Sequence, residues 1–300
     1  MKRILAISGG GMRGVIPARF LIEIENRTGG KIAEIFSLIA GTSTGSILAA
    51  LCCRPLPTTA ELMMRFYYES GPRIFRRGWF DWGVFGPKYS QADLHRELRA
   101  CIGESKCGDI ARKLLIPTVD ANQIEAVFIK SWDKYWAEYP LWAAAASSCS
   151  AQTFFPAHSG IYGMLPFRHI DGGNHTNNPA ASALFEAYRL WPNEEILVVH
   201  LGTGKQRNPR PLPDGGIARW APLVFGATSE CQDDCARYLC THAPGVRFFS
   251  FDVSIDRFPA MDDASRDTLD DLVELAERQI DADSQKWEDL IASLSALQTT

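Results

Sequence analysis

The chain has 300 residues and a formal net charge of −4, with 46% apolar and 11% aromatic residues. This composition is typical of a globular enzyme and excludes a disordered chain, whose apolar content would be lower. A nucleic-acid binder is also excluded, because it would carry a basic excess or a basic stripe. No uninterrupted run of about 18 apolar residues occurs, so we expect no membrane-spanning helix and only peripheral membrane contact.

The start of the chain and its cysteines bear on the cellular compartment. The basic segment Met1–Arg3 precedes a short apolar run, but the run stops at Ser8 and glycines replace a cleavage site. The eight cysteines show no disulfide-framework spacing, and the pair Cys52-Cys53 is typical of buried thiols in a reducing compartment. We therefore expect a cytoplasmic protein.

Short apolar runs alternate with longer helical patterns, which predicts an α/β fold with a mainly parallel sheet and helices on its faces. The predicted strands are Lys2–Ser8, Ile35–Ala40, Leu114–Val119, Glu125–Lys130, Arg168–Ile170, Glu195–Leu201 and Val246–Val253. The predicted helices include Ser46–Cys53, Ala60–Tyr68, Asp93–Ile102, Leu141–Ser150, Asn178–Trp191, Ser229–Cys240 and a helical region from Asp263 onward. The segments Gly71–Tyr89 and Arg207–Pro222 are predicted loops.

The pentapeptide Gly41–Gly45 reads Gly-Thr-Ser-Thr-Gly and fits the nucleophile-elbow pattern G-x-S-x-G. It lies between a predicted strand and a predicted helix, which is the context that this sharp turn requires. Side chains at Gly41 and Gly45 would block the close backbone approach. The pattern predicts Ser43 as a nucleophile, and the alternative is a tight turn with a helix-capping serine.

The glycine cluster after the first strand allows two interpretations. Gly9, Gly11 and Gly14 satisfy G-x-G-x-x-G, a pattern of dinucleotide-binding turns. That motif also expects an acidic residue at the end of the second strand, where this chain has Gly41–Ser43. The favoured interpretation is that bare backbone N–H groups at a helix N-terminus stabilise a developing oxyanion.

Through these motifs the chain resembles the patatin-like phospholipase family. The resemblance rests on the Gly9–Gly14 loop with its basic Arg13, on Gly41–Gly45, and on Ile170–Gly173. Weaker matches are Ala146–Ser150 followed by Phe154–Pro156, Asn177–Pro179 and Leu201–Gly204. These segments cover about residues 2–205 in the family's order.

The resemblance implies a catalytic pair of Ser43 and Asp171 in a three-layer α/β sandwich. It further implies a site made of the loop residues Gly9, Gly10, Gly11, Met12, Arg13 and Gly14, the elbow glycines Gly41 and Gly45, and the turn residues Gly172 and Gly173. In this scheme the Gly9–Gly11 backbone supplies oxyanion donors and Arg13 supports the loop. It implies calcium-independent hydrolysis of glycerophospholipid acyl esters, with no metal and no cofactor.

The resemblance leaves the base and the domain organisation to be tested. An Asp near pKa 4 is a weak base for a serine, so the site must raise its basicity by desolvation. A Ser-His-Asp triad is the alternative, for which His175, His200 or His242 has the right chain order. Residues 1–205 are the expected catalytic core, and 206–300 an extension packed on the same domain.

Several side-chain groups carry weaker signals. The aromatic and arginine-rich loop Arg73–Tyr89 suits a phospholipid surface, or equally packing on the core or on a second copy of the chain. A second Asp-Gly-Gly at Asp214 is predicted to be a surface turn. Cys231, Cys235, Cys240 and His242 lack zinc-site spacing, and we expect Cys231 and Cys235 on a buried helix face. Asp262, Asp263, Asp267, Asp270 and Asp271 are predicted to form a solvated acidic helix face.

Three functions follow from these features. The leading one is a lipid acyl hydrolase that acts through an acyl-serine intermediate at a phospholipid membrane. A second adds control, because some bacterial relatives resemble this chain and are antiviral effectors switched on by a cyclic dinucleotide. The third is a non-catalytic nucleotide-binding or storage protein that uses the glycine loop only as a turn.

Overall fold

The computed structural model describes residues 1–76, 86–206, 217–256 and 259–295. The strands are β1 (Lys2–Ile7), β2 (Leu38–Gly41), β3 (Lys113–Asp120), β4 (Glu125–Lys130), β5 (His158–Tyr162), β6 (Leu165–Asp171), β7 (Ile196–Leu201), β8 (Lys205–Gln206), β9 (Val246–Phe251) and β10 (Ser254–Ile255). The helices are α1 (Val15–Thr28), α2 (Ile32–Ile35), α3 (Thr44–Cys53), α4 (Ala60–Glu69), α5 (Gly71–Ile74), α6 (Gln91–Ile102), α7 (Leu141–Cys149), α8 (Ala180–Leu190), α9 (Ile217–His242), α10 (Arg266–Ala282) and α11 (Ser284–Ser295).

The main sheet is mostly parallel, as the sequence predicts. Its strands follow the order β5-β6-β3-β2-β1-β7-β9, and β4 pairs with β3 off this path. Strands β1, β2, β3, β7 and β9 run parallel, whereas β4 and β6 run antiparallel to β3. Strands that are buried on both faces read as continuous apolar runs, which explains why β1 and β7 are clear in the sequence.

Two hydrophobic cores lie on opposite faces of this sheet. In β1, Leu5 and Ile7 belong to the larger core, whereas Ile4 and Ala6 belong to the smaller one. This division follows from the alternation of side chains along a strand. Helices α1, α3 and α7 cover the larger core and α8 covers the smaller one, so the fold is the expected three-layer α/β sandwich.

Strands β2 and β6 meet head to head along one edge of β3. Strand β2 pairs with the start of β3, with Ala40 opposite Leu115, and β6 pairs with its end, with Asp171 opposite Thr118. The short strand predicted at Arg168–Ile170 is longer and forms a hairpin with β5, a strand that was not expected from the sequence. Because β2 and β6 run in opposite directions, their carboxyl ends face each other beside β3.

Other differences concern element boundaries. The strand predicted from Ile35 begins only at Leu38, because Ile32–Ile35 forms the short helix α2. The predicted loop Arg207–Pro222 is partly wrong, since α9 already begins at Ile217. Residues 207–216, with Asp214, lie outside the described residues, as do 77–85 of the aromatic loop.

The C-terminal extension contributes to the same layers as the predicted core. Strand β9 pairs with β7 along its whole length and so extends the main sheet. On the larger core, Trp287 of α11 is fully buried and its ring centroid lies 4.0 Å from that of Phe251 and 5.8 Å from that of Phe20. In the described part of the chain, no helix is long and apolar enough to cross a membrane.

Candidate active site

The turn between β2 and α3 holds Ser43 in a left-handed backbone conformation, with φ 50° and ψ −123°. A non-glycine residue in this region is strained, and such strain persists only where the surroundings enforce it. A Cβ atom at Gly41 would overlap the carbonyl oxygen of Gly45, and one at Gly45 would overlap that of Ile7. Both glycines are thus required by contacts with backbone, which agrees with the elbow pattern in the sequence.

Ser43 and Asp171 lie in direct contact. The Oγ of Ser43 donates a hydrogen bond of 2.7 Å to Oδ2 of Asp171, across 128 residues of sequence. The other carboxylate oxygen, Oδ1, accepts the N–H of Gly173 at 2.7 Å. The carboxylate is therefore fixed by a backbone donor on one oxygen and presented to the hydroxyl with the other.

The environment of Asp171 makes its carboxylate more basic than usual. The residue is only 7% exposed. Burial raises the pKa of Asp171 to about 6, and hydrogen bonds from Ser43 and Gly173 oppose part of this shift. Desolvation penalises the charged form of a carboxyl group, so the structure contains the compensation that a carboxylate base needs.

Buried serines of α7 and α3 hold the elbow in place, a role that no motif in the sequence indicated. The N–H of Ser43 donates to Oγ of Ser148 at 2.9 Å, and Ser148 is fully buried on α7. The hydroxyl of Ser46 donates to the carbonyl of Ser43 at 2.6 Å. The small-residue pattern of Ala146–Ser150 was the available signal, because only small side chains allow α7 to approach α3 this closely.

The glycine loop lies beside the nucleophile, but several of its amides already have acceptors. The N–H of Gly9 donates to the carbonyl of Asn177 at 3.1 Å, and that of Met12 to the carbonyl of Met261 at 2.8 Å. The expectation that Gly9 donates to an oxyanion therefore needs correction. Among the described residues we find no acceptor for the amides of Gly10 and Gly11.

Close packing fixes the path of the loop. A Cβ atom at Gly9 would lie 3.1 Å from Cβ of Ser43, so the backbone of the loop passes close to the nucleophile. The hydroxyl of Thr203 donates to the carbonyl of Gly9 at 2.6 Å. Arg13 is buried, and its Nε donates to the carbonyl of Gly10 at 3.2 Å. The carbonyl groups of the loop are thus bonded by two side chains, that of Thr203 and that of the loop's own Arg13.

The turn after Asp171 packs against the sheet and the elbow. A Cβ atom at Gly172 would overlap the carbonyl oxygen of Pro117 in β3. The hydroxyl of Thr42 donates to the carbonyl of Thr176 at 2.7 Å, which ties the elbow to the turn. The close approach to Pro117 explains why a glycine follows the aspartate directly.

The three histidines considered for a triad make their hydrogen bonds elsewhere. His175 bonds the carbonyl of Thr118 at 3.1 Å and the hydroxyl of its neighbour Thr176. His200 is fully buried between two serine hydroxyls, and burial lowers its pKa to about 4. His242 bonds a carbonyl of its own helix. Because the Ser43 hydroxyl donates to Asp171, the geometry does not favour the triad.

The cysteines of α9 correct another expectation. Cys231 and Cys235 are exposed instead of buried, and only Cys240 is buried. Within the described residues, no group of three His, Cys, Asp or Glu side chains could hold a metal ion.

The acidic residues near the C-terminus are not all solvated. The carboxylate of Asp262 accepts the hydroxyl of Tyr89 at 2.7 Å and lies 3.5 Å from Nζ of Lys88. Asp262 and Asp263 precede α10, so they are not part of its face.

At the ends of the aromatic loop, Tyr89 is buried and Phe75 packs against its ring, with centroids 5.1 Å apart. These two aromatic residues therefore serve the core, while Trp79, Phe80, Trp82 and Phe85 lie outside the described residues.

The chain is similar in sequence to several known proteins. The profile of the patatin-like phospholipase family matches residues 5–184. The chain is 29% identical to patatin-like protein 2 of Oryza sativa subsp. indica, over 94% of this chain and 84% of that protein. It is 31% identical to patatin-like protein 2 of Arabidopsis thaliana, over 73% and 64% of the two chains. The chain is 26% identical to patatin-T5 of Solanum tuberosum, over 97% of this chain and 84% of that protein.

The chain therefore belongs to the patatin-like phospholipase family, and this membership implies lipid acyl hydrolase activity. Among solved structures it is similar to VipD from Legionella pneumophila, with 12% identity and a TM-score of 0.39 over 94% of this chain and 67% of that one. That likeness is too weak to bear on function.

Proposed function

We propose that the chain is a phospholipase A-type hydrolase that cleaves glycerophospholipid acyl esters with Ser43 as nucleophile and Asp171 as general base. The observation that carries the proposal is the 2.7 Å hydrogen bond from the serine hydroxyl to a buried carboxylate. A general base must reach the proton that it removes, and its pKa must approach the working pH. The distance and the pKa of Asp171, raised to about 6, support both conditions.

In the first half of the reaction, Ser43 forms an acyl-enzyme. Its Oγ attacks the acyl carbonyl carbon while Oδ2 of Asp171 accepts the hydroxyl proton. The tetrahedral intermediate then collapses, the bond to the glycerol oxygen breaks, and Asp171 returns the proton to that oxygen. The lysophospholipid leaves, and the acyl group remains as an ester of Ser43.

In the second half, water replaces the lysophospholipid. Asp171 removes a proton from the water, whose oxygen attacks the acyl carbonyl, and the proton then passes to Oγ as the bond to Ser43 breaks. The products are a fatty acid and the free serine. The same carboxylate therefore acts as base and acid in each half, which requires a pKa between those of an ordinary Asp and an alcohol.

The oxyanion of each tetrahedral intermediate needs hydrogen-bond donors. We assign the amides of Gly10 and Gly11, because they follow the loop residue that contacts Ser43 and have no acceptor among the described residues. Loss of one such donor typically costs about 3 kcal/mol of transition-state stabilisation. Backbone donors need no reorganisation during the reaction, and the contacts of Arg13 and Thr203 with this loop support that rigidity.

The proposal is tested by fatty-acid release from phosphatidylglycerol–phosphatidylcholine vesicles, with lysophospholipid measured in parallel. We expect Ser43→Ala to fall to the background rate and Asp171→Asn to lose at least about a thousandfold in kcat. Asp120→Asn is a matched control, because this carboxylate ends the neighbouring strand and accepts the N–H of Asn122. Full activity in either Ser43→Ala or Asp171→Asn would reject the pair.

Other expectations stay predictions from the sequence. They are activation by a cyclic dinucleotide, a role in antiviral defence, self-association and a cytoplasmic location. A panel of cyclic dinucleotides added to the same vesicle assay tests the first of these, and a high basal rate that none of them raises would contradict it.

A further inference from the structure

Helix α9 contacts the segment that follows Asp171, although α9 lies beyond the family match that ends at residue 184. The side-chain amide of Gln232 bonds this segment at two points. Its Oε1 accepts the N–H of Asn177 at 2.9 Å, and its Nε2 donates to the carbonyl of Asn174 at 3.2 Å. We call Asn174–Asn177 the post-aspartate loop, and one side chain of α9 thus fixes both of its ends.

The next residue of α9 adds a second attachment. Oδ1 of Asp233 accepts the side-chain amide of buried Asn178 at 2.7 Å, and Lys205 lies 2.6 Å from Oδ2 of the same carboxylate. Asn178 in turn accepts the N–H of Ala180 at the start of α8. Helix α9 is therefore anchored beside the loop independently of Gln232, so that removal of Gln232 should leave the helix in place.

The contact of Gln232 reaches the glycine loop in one further step. The peptide units around Asn177 are held on both sides, because its N–H donates to Gln232 and its carbonyl accepts the N–H of Gly9 at 3.1 Å. There is little free space at this point. A Cβ atom at Gly9 would lie 2.6 Å from Oδ1 of Asn177 and 3.1 Å from Cβ of Ser43.

We propose that Gln232 is a positioning residue, which fixes Gly9 through Asn177 and thereby orients the amides of Gly10 and Gly11 toward the acyl oxygen. Its catalytic consequence rests on the proposed function. Oxyanion donors act only within a narrow range of distances, and a misplacement of about 1 Å can reduce a rate a hundredfold. A helix outside the family match would thus complete the site.

The test compares Gln232→Met, Gln232→Glu and the control Glu230→Met in steady-state hydrolysis of the soluble ester p-nitrophenyl butyrate. Methionine keeps the length of the side chain but removes both hydrogen-bonding groups, whereas glutamate keeps the acceptor for the N–H of Asn177 and removes only the donor to the carbonyl of Asn174. Glu230 is exposed on the same helix. We expect kcat to fall about tenfold in Gln232→Met with KM changed less than about twofold, and to recover to within about threefold in Gln232→Glu.

A second readout does not depend on turnover. We expect amide hydrogen exchange of the peptide that contains Gly9–Gly14 to be faster in Gln232→Met than in wild type and in the Glu230→Met control. If Gln232→Met does not fold, Gln232→Ala replaces it in both measurements.

The outcomes separate this inference from the proposed function. A wild-type enzyme that hydrolyses no ester would reject the proposed function, while the exchange difference would still support the link from Gln232 to Gly9. Wild-type kcat and wild-type exchange in Gln232→Met would overturn the inference.

Discussion

Asp171 lies directly opposite Thr118 in the antiparallel pairing of β6 with β3. This register brings its carboxylate level with the end of β2, where the hydroxyl of Ser43 donates to it. A shift of one residue would turn the aspartate to the other face of the sheet. The hydroxyl of Thr118 donates to the carbonyl of Ile170 at 2.8 Å and so reinforces the register next to the site. The geometry of the candidate site therefore depends on this strand pair.

The pH dependence of the reaction should follow the ionisation of Asp171. A base must be deprotonated, and burial raises the pKa of this carboxyl to about 6. We expect kcat/KM on a soluble ester to rise about tenfold per pH unit below pH 6 and to level off above it. Asp252 is the control, because burial raises its pKa to about 6 as well but its Oδ1 bonds the N–H of Gly204. If the fall in kcat/KM below pH 6 disappears in Asp252→Asn, the profile reports the ionisation of Asp252 and not that of Asp171.

Asp171→Asn should make the fold more stable while it removes activity. The folded state raises the pKa of Asp171 from 3.8 to about 6, so it binds the proton more tightly than the unfolded chain does. Wild-type stability contributed by this group is therefore lost as the pH rises from about 4 to about 6. Relative to wild type, the variant should gain up to about 3 kcal/mol above pH 6 and little below pH 4. Urea unfolding at both pH values measures this, and a pH-independent difference would contradict it.

The elbow glycines should tolerate no side chain. A Cβ atom at Gly45 would overlap the carbonyl oxygen of Ile7, which belongs to the central strand β1 and cannot move aside. We expect Gly45→Ala to lower the free energy of unfolding by about 3 kcal/mol or more. Gly30→Ala is the matched control, because its Cβ would meet the side chains of Ile35 at 3.6 Å and Glu34 at 4.0 Å, which are ordinary contacts. Equal stability of the two variants in urea unfolding would show that the turn can relax.

Replacement of a triad candidate should leave the chemistry intact. His175 bonds a carbonyl of β3 and the hydroxyl of Thr176, so we expect His175→Gln to keep kcat within about fivefold of wild type. The fall in kcat/KM below about pH 6 should remain in this variant, because it reflects the protonation of Asp171. A loss of a thousandfold or more in a folded His175→Gln variant would instead support a histidine base.

The sequence was sufficient for the parts of the site that depend on local contacts. Gly41 and Gly45 are four residues apart, and their backbones touch within one turn of chain, so the pentapeptide itself carries the constraint. The apolar strand before it and the apolar helix after it are likewise readable from nearby residues. The motif Ile170–Gly173 pointed to Asp171 through a family resemblance and through the strand that precedes it, since no local pattern relates it to Ser43.

The sequence by itself determined the layers and the elbow with its candidate nucleophile Ser43, because periodicity and tight turns are encoded within a few residues. Only the tertiary structure decided that β6 is antiparallel, that Asn177 occupies the amide of Gly9, and that Gln232 reaches the post-aspartate loop. The same holds for the exposure of Cys231. These features depend on contacts between residues 50 or more positions apart or on which face of a helix is covered, and a linear pattern of residue types does not specify such packing.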